Sequence, residues 1–390
     1  MPRKQSSPNR ASSPKQIRIS KAGRQPQTAT VPSQGAIFSP VFDFLCCGGL
    51  SIVVVIGIFT CAFLSPTSAF ITQGVNIIGV AILGTLFNAP HFMASYPLLY
   101  RKRTQIAEHR WASTYIPLIL LGMIVYAFLT PSQAGNRPPV NALVIDLLTT
   151  LGAILLAWHY TGQAWGMTGA FAYIRGIRMD GRERWLVRCG YYSLLVWHVL
   201  WACLFMLQNP EALIANKFTS QIPSVRFAYN LWSVVVLLTI PLGIIGFIRI
   251  RRRTGIMPSL RSYSPWIAIY LWYALIWAYP SMFPLLQIFH ALQYLVFPLR
   301  VEINQYSARR QRSETKQILH GVAYYLFLVF VGLVVFELPT VPTLWGNARL
   351  NFLAVVSAFV NIHHYFIDGA IWKIRNPQVR RDLFAHLKLA

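Results

Sequence analysis

Acidic side chains are scarce in this chain. Its 390 residues include 11 Asp and Glu against 35 Lys and Arg, which gives a formal net charge of +24 with His neutral. Charged residues make up only 12% of the sequence, whereas hydrophobic residues make up 55%. Soluble domains carry about 25% charged residues. This composition therefore excludes an ordinary soluble domain, a mainly disordered chain and a coiled coil.

Several motifs of well-known protein classes are also missing. The five cysteines form no C-x-x-C pair, which argues against a secreted disulfide-rich protein. There is no Walker phosphate loop, no GxSxG nucleophile elbow and no H-E-x-x-H zinc motif. The E-x-x-H pairs of di-iron carboxylate bundles are absent as well. The sequence thus offers none of the common signatures of a nucleotide hydrolase, a serine hydrolase or a di-iron enzyme.

Long apolar runs are what the sequence has in abundance. A membrane helix needs about 20 mostly apolar residues. Ten candidate runs lie at approximately 37–64, 69–100, 112–130, 140–172, 187–207, 229–249, 264–280, 283–299, 318–338 and 351–372. The pair within 264–299 is short, so this stretch forms either two spans or one kinked helix. The sequence predicts an all-α, polytopic bundle of about ten transmembrane helices in the lipid bilayer.

Basic clusters follow every second apolar run. They surround Arg101, Arg175, Arg251, Arg300 and Lys373, whereas the other loops hold few Lys or Arg. Because positively charged loops stay cytoplasmic, this alternation predicts both termini in the cytoplasm and a multi-pass protein of the cell's inner (plasma) membrane. It also accounts for the positive charge without nucleic acid as a partner.

The chain is predicted to consist of one membrane domain between two tails. Residues 1–35 contain basic residues, Ser, Pro and Gln but no acid, and such a segment cannot bury enough apolar area to fold. We therefore expect a disordered basic cytoplasmic tail at 1–35, a transmembrane helical domain at 36–375, and a short basic cytoplasmic tail at 376–390.

Histidines inside the apolar runs are the main candidates for a functional site, because such side chains are costly in a membrane. His91, His290 and His363 each lie ten residues before the basic residue that ends their span. His198 lies ten residues from its own basic flank on an oppositely directed span, and His159 lies sixteen. At about 1.5 Å per residue, ten residues reach about 15 Å, the middle of a hydrocarbon core about 30 Å thick. A shared depth favours a metal site.

One metal ion is the predicted centre of this layer. The predicted ligands are His91, His159, His290, His363 and His364. Neighbours on a helix point about 100° apart, so one of the adjacent pair is expected to be a ligand and the other a support. Whether His198 joins the site is left open. Imidazole-rich sites suit Fe, Cu or Zn, and iron is the predicted cofactor.

Other polar side chains are expected to assist these histidines. A ligating His usually gives its second ring N–H to a carboxylate, an amide or a carbonyl. Asn88, Gln163 and Asp368 are therefore predicted to orient the rings and so to help bind the cofactor. Tyr96 and Tyr294 are predicted to act in catalysis by directing oxygen or a proton.

Two of these segments resemble a known family. Ala-Pro-His-Phe at 89–92 and Trp-His-Tyr-Thr-Gly-Gln at 158–163, with the later helical histidines, resemble the Brp/Blh family of bacterial and archaeal membrane proteins. The resemblance implies a β-carotene-cleaving dioxygenase whose iron is held by helix-borne histidines, here His91, His159, His290 and His363 or His364. The sequence departs from the family pattern at 93–96, where Met-Ala-Ser-Tyr stands in place of a closely following acid.

The leading hypothesis is an integral-membrane, His-ligated metalloenzyme. It would be a non-haem iron oxygenase that acts on a lipophilic substrate such as an isoprenoid or an acyl chain. One alternative is a transporter or channel with a polar pathway of His, Gln and Asn, in which proline interruptions mark broken helices. Another is a haem-binding electron-transfer protein that uses two of the histidines. A non-enzymatic scaffold is the fourth.

Overall fold

The computed structural model describes most of the predicted membrane domain. The described residues are 35–65, 79, 82–131, 140–208, 218–309, 313–340, 349–373 and 376–387. Within them the regular structure is entirely helical, as predicted. Seven of these helices are long and apolar enough to cross a membrane, which indicates a membrane protein. The tail predicted at 1–35 lies outside the described residues except for Gly35.

The helices follow the order of the predicted runs. They are α1 Pro40–Leu64, α2 Ala89–Tyr100, α3 Arg103–Glu108, α4 Trp111–Leu129, α5 Ala142–Ile174, α6 Gly181–Leu207, α7 Ile222–Thr254, α8 Leu260–Ala278, α9 Phe283–Arg309, α10 Glu314–Glu337, α11 Arg349–Ile371 and α12 Pro377–Phe384. Each of the ten apolar runs overlaps one of these helices. Because α2, α8 and α11 are not among the seven membrane-length apolar helices, the count of ten spans stays a prediction. The cytoplasmic placement of both termini also stays a prediction.

Residues 264–299 form two helices. α8 ends at Ala278, and Tyr279 takes an extended conformation (φ −136°, ψ 80°) before a 3₁₀ turn at Pro280–Met282 leads into α9. A residue that precedes proline is disfavoured in the helical conformation, so Pro280 ends α8. Of the two alternatives that the sequence left open, the structure thus shows two helices.

The start of α6 and the end of α7 are joined by opposite charges. Asp180 caps α6 by accepting a hydrogen bond from the Glu183 N–H (2.8 Å), and the Glu183 carboxylate accepts one from the Asp180 N–H (2.8 Å). Arg253 donates to both Glu183 oxygens at 2.7 and 2.8 Å. Arg249 lies 3.7 Å from Asp180. We call these four residues the acid–arginine cluster. The cap explains why α6 begins six residues before the predicted span at 187.

Two π-helical turns allow close packing around the centre. One, at Gly84–Asn88, precedes α2 and accommodates Pro90, which has no N–H to donate within a helix. The other, at Leu45–Gly49 in α1, contains Gly48 at φ 144°. A Cβ at Gly48 would lie 2.6 Å from the Ser264 carbonyl oxygen, so only glycine lets α1 approach α8 this closely.

Four helices, α2, α5, α9 and α11, surround the centre of the bundle. In α9, 67% of the apolar segment is buried, against 39% or less in the other six membrane-length helices. The outer helices expose large apolar side chains, for example Leu118, Phe227 and Phe330. Such exposure is typical of a lipid-facing surface. The histidines that these four helices carry at the centre, His91, His159, His290 and His364, are buried.

The segment predicted as a short basic tail at 376–390 contains regular structure. Through residue 387 it contains a packed helix, α12, whose Leu383 and Phe384 are buried. Asn304 of α9 donates hydrogen bonds to the carbonyls of Asp382 and Leu383 at 2.9 and 3.0 Å. The high content of basic residues concealed an amphipathic pattern, which has an apolar face for the bundle.

Candidate metal centre

Five buried side chains meet between the four central helices. His91 comes from the first turn of α2, His159 from the middle of α5 and His290 from α9. His364 and Asp368 come from α11, where they stand one turn apart. We call these five residues the imidazole cluster. Of the histidines placed at a common depth by the sequence, His91 and His290 belong to the cluster, where His159 and His364 join them.

The distances within the imidazole cluster match those between ligands of one ion. The Nε2 atoms of His290 and His159 are 2.8 Å apart, and those of His364 and His91 are 3.1 Å apart. Asp368 Oδ2 lies 3.3 Å from His364 Nε2 and 3.7 Å from His159 Nδ1. Ligands about 2.1 Å from an ion stand about 3.0 Å apart at right angles and about 3.4 Å apart at the tetrahedral angle.

A metal could be held by four of these residues with little movement. One donor atom each from His91, His159, His364 and Asp368 lies within 4.8 Å of the other three. His290 lies next to this group of four, with its Nε2 2.8 Å from His159 Nε2. The donors are nitrogen and oxygen only, a set that suits iron, copper or zinc.

The charge balance of the cluster also favours a cation. Asp368 pairs with His159 and His364. No Lys or Arg among the described residues pairs with it. A buried carboxylate is costly unless a positive charge compensates it. Two facing imidazole nitrogens need either a proton between them or a cation that both can bind. A metal ion would satisfy both requirements at once.

Ser95 fixes the ring of His364. Its hydroxyl donates to the Phe92 carbonyl at 2.9 Å, so its oxygen is left to accept from His364 Nδ1 at 3.0 Å. With the proton on Nδ1, the Nε2 lone pair of His364 points into the cluster, where a metal would need it. Sequence analysis missed Ser95, although it lies one helical turn after His91 on the same helix.

Asp368 has a more central place than predicted. The sequence predicts a carboxylate that orients the histidine rings, whereas the structure places Oδ2 among the ring nitrogens. The other oxygen, Oδ1, accepts a hydrogen bond from the Tyr294 hydroxyl at 2.7 Å. Trp372 donates its indole N–H to the same hydroxyl at 3.1 Å. Tyr294 therefore contacts the cluster through Asp368, and its predicted role in catalysis stays a prediction.

His363 and Tyr96 lie outside the cluster. His363 Nε2 is 2.8 Å from the Ala112 carbonyl and 3.2 Å from the Tyr100 hydroxyl, on the side of α11 that faces the start of α4. Tyr96 packs against the His363 ring with the ring centroids 5.3 Å apart. Because successive helical residues point about 100° apart, turning His364 inward turns His363 away. The structure therefore corrects the ligand role predicted for His363.

Two predicted supporting residues contact the site differently from expectation. Gln163 donates to the backbone carbonyl of His290 at 3.1 Å and so ties α5 to α9 without touching a ring nitrogen. Asn88 lines a separate small cavity with Phe92 and Phe336. The expectation that these two amides orient the ligand rings is thus replaced by the contacts of Ser95 and Tyr294.

His198 shares the depth of the cluster but is separated from it. The Tyr160 ring stands between the two, with its centroid 4.2 Å from the His290 ring and 6.2 Å from the His198 ring. His198 Nδ1 instead lies 2.8 Å from the Tyr273 hydroxyl. His198, whose membership the sequence left open, therefore does not join the cluster.

An apolar cavity of about 210 Å³ adjoins the imidazole cluster. His159, Asp368 and Tyr294 face it from the cluster side. Its apolar walls include Trp158, Gly162, Trp165, Gly166, Phe297 and Trp372. An ion held by the cluster would therefore have an open side that faces apolar space.

Comparisons with known proteins give no relative. No protein-family model matches the chain, and neither a curated protein nor a solved structure shows significant similarity to it. The Brp/Blh family thus stays a resemblance of short segments. The function must be argued from the site itself.

Proposed function

We propose that this chain is an integral-membrane metalloenzyme, a non-haem iron oxygenase that acts on a lipophilic substrate. The observation that carries the proposal is the convergence of four buried imidazoles and one carboxylate beside an apolar cavity. The membrane, and specifically the inner (plasma) membrane predicted from the basic loops, would supply both the protein's surroundings and its substrate. Nucleic acid has no part in this proposal.

The donor set favours a catalytic metal over a structural one. Structural zinc sites are closed and usually contain thiolates, whereas catalytic sites keep an open position. The group of possible ligands contains no cysteine, and its His159 and Asp368 face the cavity. Sites of histidines and one carboxylate with open positions are typical of non-haem iron oxygenases. Bound there, iron would supply the activation of dioxygen.

The residues of this chain would have distinct tasks around the ion. The four imidazoles would hold it, and Asp368 would balance its charge. Ser95 keeps the His364 proton on Nδ1, and Tyr294 keeps the Asp368 carboxylate turned toward the cluster. The apolar walls of the cavity, such as Phe297 and Trp158, would bind the substrate and exclude water.

Haem fits this geometry less well than an ion. Two histidines on opposite faces of a haem each lie about 2 Å from the iron, which puts their nitrogens about 4 Å apart. The facing Nε2 pairs here are 2.8 and 3.1 Å apart. A cavity of about 210 Å³ is also smaller than the roughly 300–1,000 Å³ of ordinary ligand pockets.

A transport pathway is also less well supported. A substrate path would need polar side chains that follow the axis of the bundle. Three histidines and Asp368 instead place one donor atom each within 4.8 Å of one another, and His290 contacts His159 beside them. Convergence of this kind is what metal binding requires.

The test is metal analysis of the protein purified in mild detergent. We expect about one iron per chain, and we expect His91→Ala to lose it because one ligand and the facing nitrogen of His364 are both affected. His363→Ala is the matched control, since it removes a neighbouring buried imidazole outside the cluster, and it should keep the metal. Oxygen uptake on addition of lipid extract should follow the iron content. The proposal would be refuted if the purified protein held no transition metal. It would also be refuted if His91→Ala kept the metal content of the wild-type protein.

A further inference from the structure

The cavity next to the imidazole cluster has a basic residue in its lining. His159, Asp368 and Arg188 of α6 all line it. The Arg188 guanidinium carbon lies 5.4 Å from the ring centroid of Trp165. Trp165 follows His159 by six residues on α5, which corresponds to about 9 Å along the helix axis. The guanidinium and the proposed metal are thus offset along one cavity.

Arg188 is available to bind an anion. Its side chain is exposed, and it stacks on Trp165 and, at 4.8 Å, on the ring of Tyr192. Among the described residues it takes part in no ion pair, whereas Arg101, Arg253 and Arg261 are each paired with an acid. Stacking fixes the plane of a guanidinium and leaves its N–H edge free for a carboxylate or a phosphate.

The shape of the cavity suits a slim chain. A Cβ added at Gly162 or Gly166 would meet nothing within 4 Å, so both glycines border open space. Trp158 and Phe297 make the walls apolar. The volume of about 210 Å³ lies below that of ordinary ligand pockets, roughly 300–1,000 Å³.

We propose that the cavity binds an amphipathic molecule with one apolar chain and an anionic head group, with the head on Arg188 and the chain directed toward His159 and Asp368. The head could be the carboxylate of a fatty acid or a phosphate, because both offer oxygens to the same N–H edge. This inference names the substrate class of the proposed oxygenase. That the bound molecule is oxidised rests on the proposed function, whereas its binding to the cavity does not.

The test is calorimetric binding to the full-length protein in nanodiscs of zwitterionic lipid. The probes are palmitate, hexadecyl phosphate and neutral hexadecanol. We expect at least one of the two anions to bind about tenfold more tightly than hexadecanol, as a charge-assisted hydrogen bond predicts. The anion that binds more tightly identifies the head group. Equal binding of hexadecanol and both anions would overturn the proposal.

Variants of α6 separate the role of Arg188 from a general effect of charge. Arg188→Gln should remove the preference for the anion, and Arg188→Lys should restore part of it. Arg184→Gln, one turn earlier on the same helix and outside the cavity lining, should change nothing. Unchanged binding of the preferred anion in Arg188→Gln would overturn the assignment.

Variants of α5 test the position of the chain. Gly166→Leu should fill the cavity and abolish binding of the anionic amphipath. Gly169→Leu is the control, because a Cβ there also meets nothing within 4 Å and Gly169 does not line the cavity. Unchanged binding in Gly166→Leu would contradict the proposed pose. Metal content is measured on the same samples. Protein that binds the anionic amphipath but holds no metal would refute the proposed function and support this inference. Protein that holds metal but binds no anionic amphipath would support the proposed function and refute this inference.

Discussion

The acid–arginine cluster and the imidazole cluster both join helices through polar side chains, but they balance charge in opposite ways. In the first, Asp180 and Glu183 meet Arg249 and Arg253, and each carboxylate has guanidinium partners. In the second, Asp368 meets ring nitrogens and no described Lys or Arg. The first cluster is complete as it stands and stabilises the fold. The second has no such partner for Asp368 among the described residues, and this difference supports the metal site that we propose there.

Removal of a ligand should have the largest effect. We expect His364→Ala to reduce bound metal to background, because it removes a ring that contacts both His91 and Asp368. Glu183→Gln, in the acid–arginine cluster, should keep the full metal content. Metal would be measured by elemental analysis of monodisperse protein. Equal loss in both variants would mean that the two clusters do not differ in the way described.

Removal of the tyrosine hydroxyl should weaken the metal site without destroying it. Tyr294→Phe leaves Asp368 Oδ1 without its 2.7 Å hydrogen bond. Loss of such an orienting contact typically costs about 10- to 100-fold in metal affinity. Competition with a chelator measures the change. Tyr273→Phe is the matched control, since its hydroxyl contacts His198 outside the cluster, and a similar loss in that variant would argue against a specific role for Tyr294.

Disruption of the acid–arginine cluster should lower the stability of the fold and leave the metal content unchanged. Glu183→Gln removes the charge that receives both Arg253 hydrogen bonds and should cost about 2 kcal/mol in the free energy of unfolding. A lower midpoint of thermal unfolding, with metal content unchanged, would show this. Glu314→Gln, at an exposed position in the first turn of α10, should change the free energy of unfolding by less than about 0.5 kcal/mol. A stable Glu183→Gln variant would contradict the structural role.

The smallest expected effect is a dependence of stability on pH at the N-cap of α6. The hydrogen bond from the Glu183 N–H, aided by Arg249, lowers the pKa of Asp180 below its ordinary value of 3.8. A lowered pKa in the folded state means that this contribution to stability is full above pH 3.8 and is lost as the pH falls through the folded value. Asp180→Asn should flatten this part of the thermal-unfolding profile. A profile unchanged in that variant would exclude Asp180 as the source.

Much of the architecture could be predicted from the sequence because it depends on position along each helix. Apolar runs predicted the order of the helices, whereas they left open whether 264–299 forms one kinked helix or two helices. Residue counts from the basic flanks gave a common depth for the histidines, since a helix rises by a fixed distance per residue. The helical C-terminal segment was not foreseen, because its basic residues obscured the apolar face of Leu383 and Phe384.

The rotation of each helix about its own axis could not be predicted in the same way. It decides that His364 enters the cluster while His363 faces α4, and that Tyr160 separates His198 from His290. It also brings Tyr294 and Ser95 to their partners across helix interfaces. Rotation depends on which faces pack together, and a single sequence does not reveal those partners.

X-ray absorption at the metal edge of the purified protein tests the central claim most directly. The account predicts one iron per chain with nitrogen and oxygen ligands at about 2.0–2.2 Å and outer-shell scattering from at least three imidazoles. In His91→Ala, that imidazole signal should fall together with the metal content. Protein without a stoichiometric metal, or a metal with sulfur ligands at about 2.3 Å, would contradict the account.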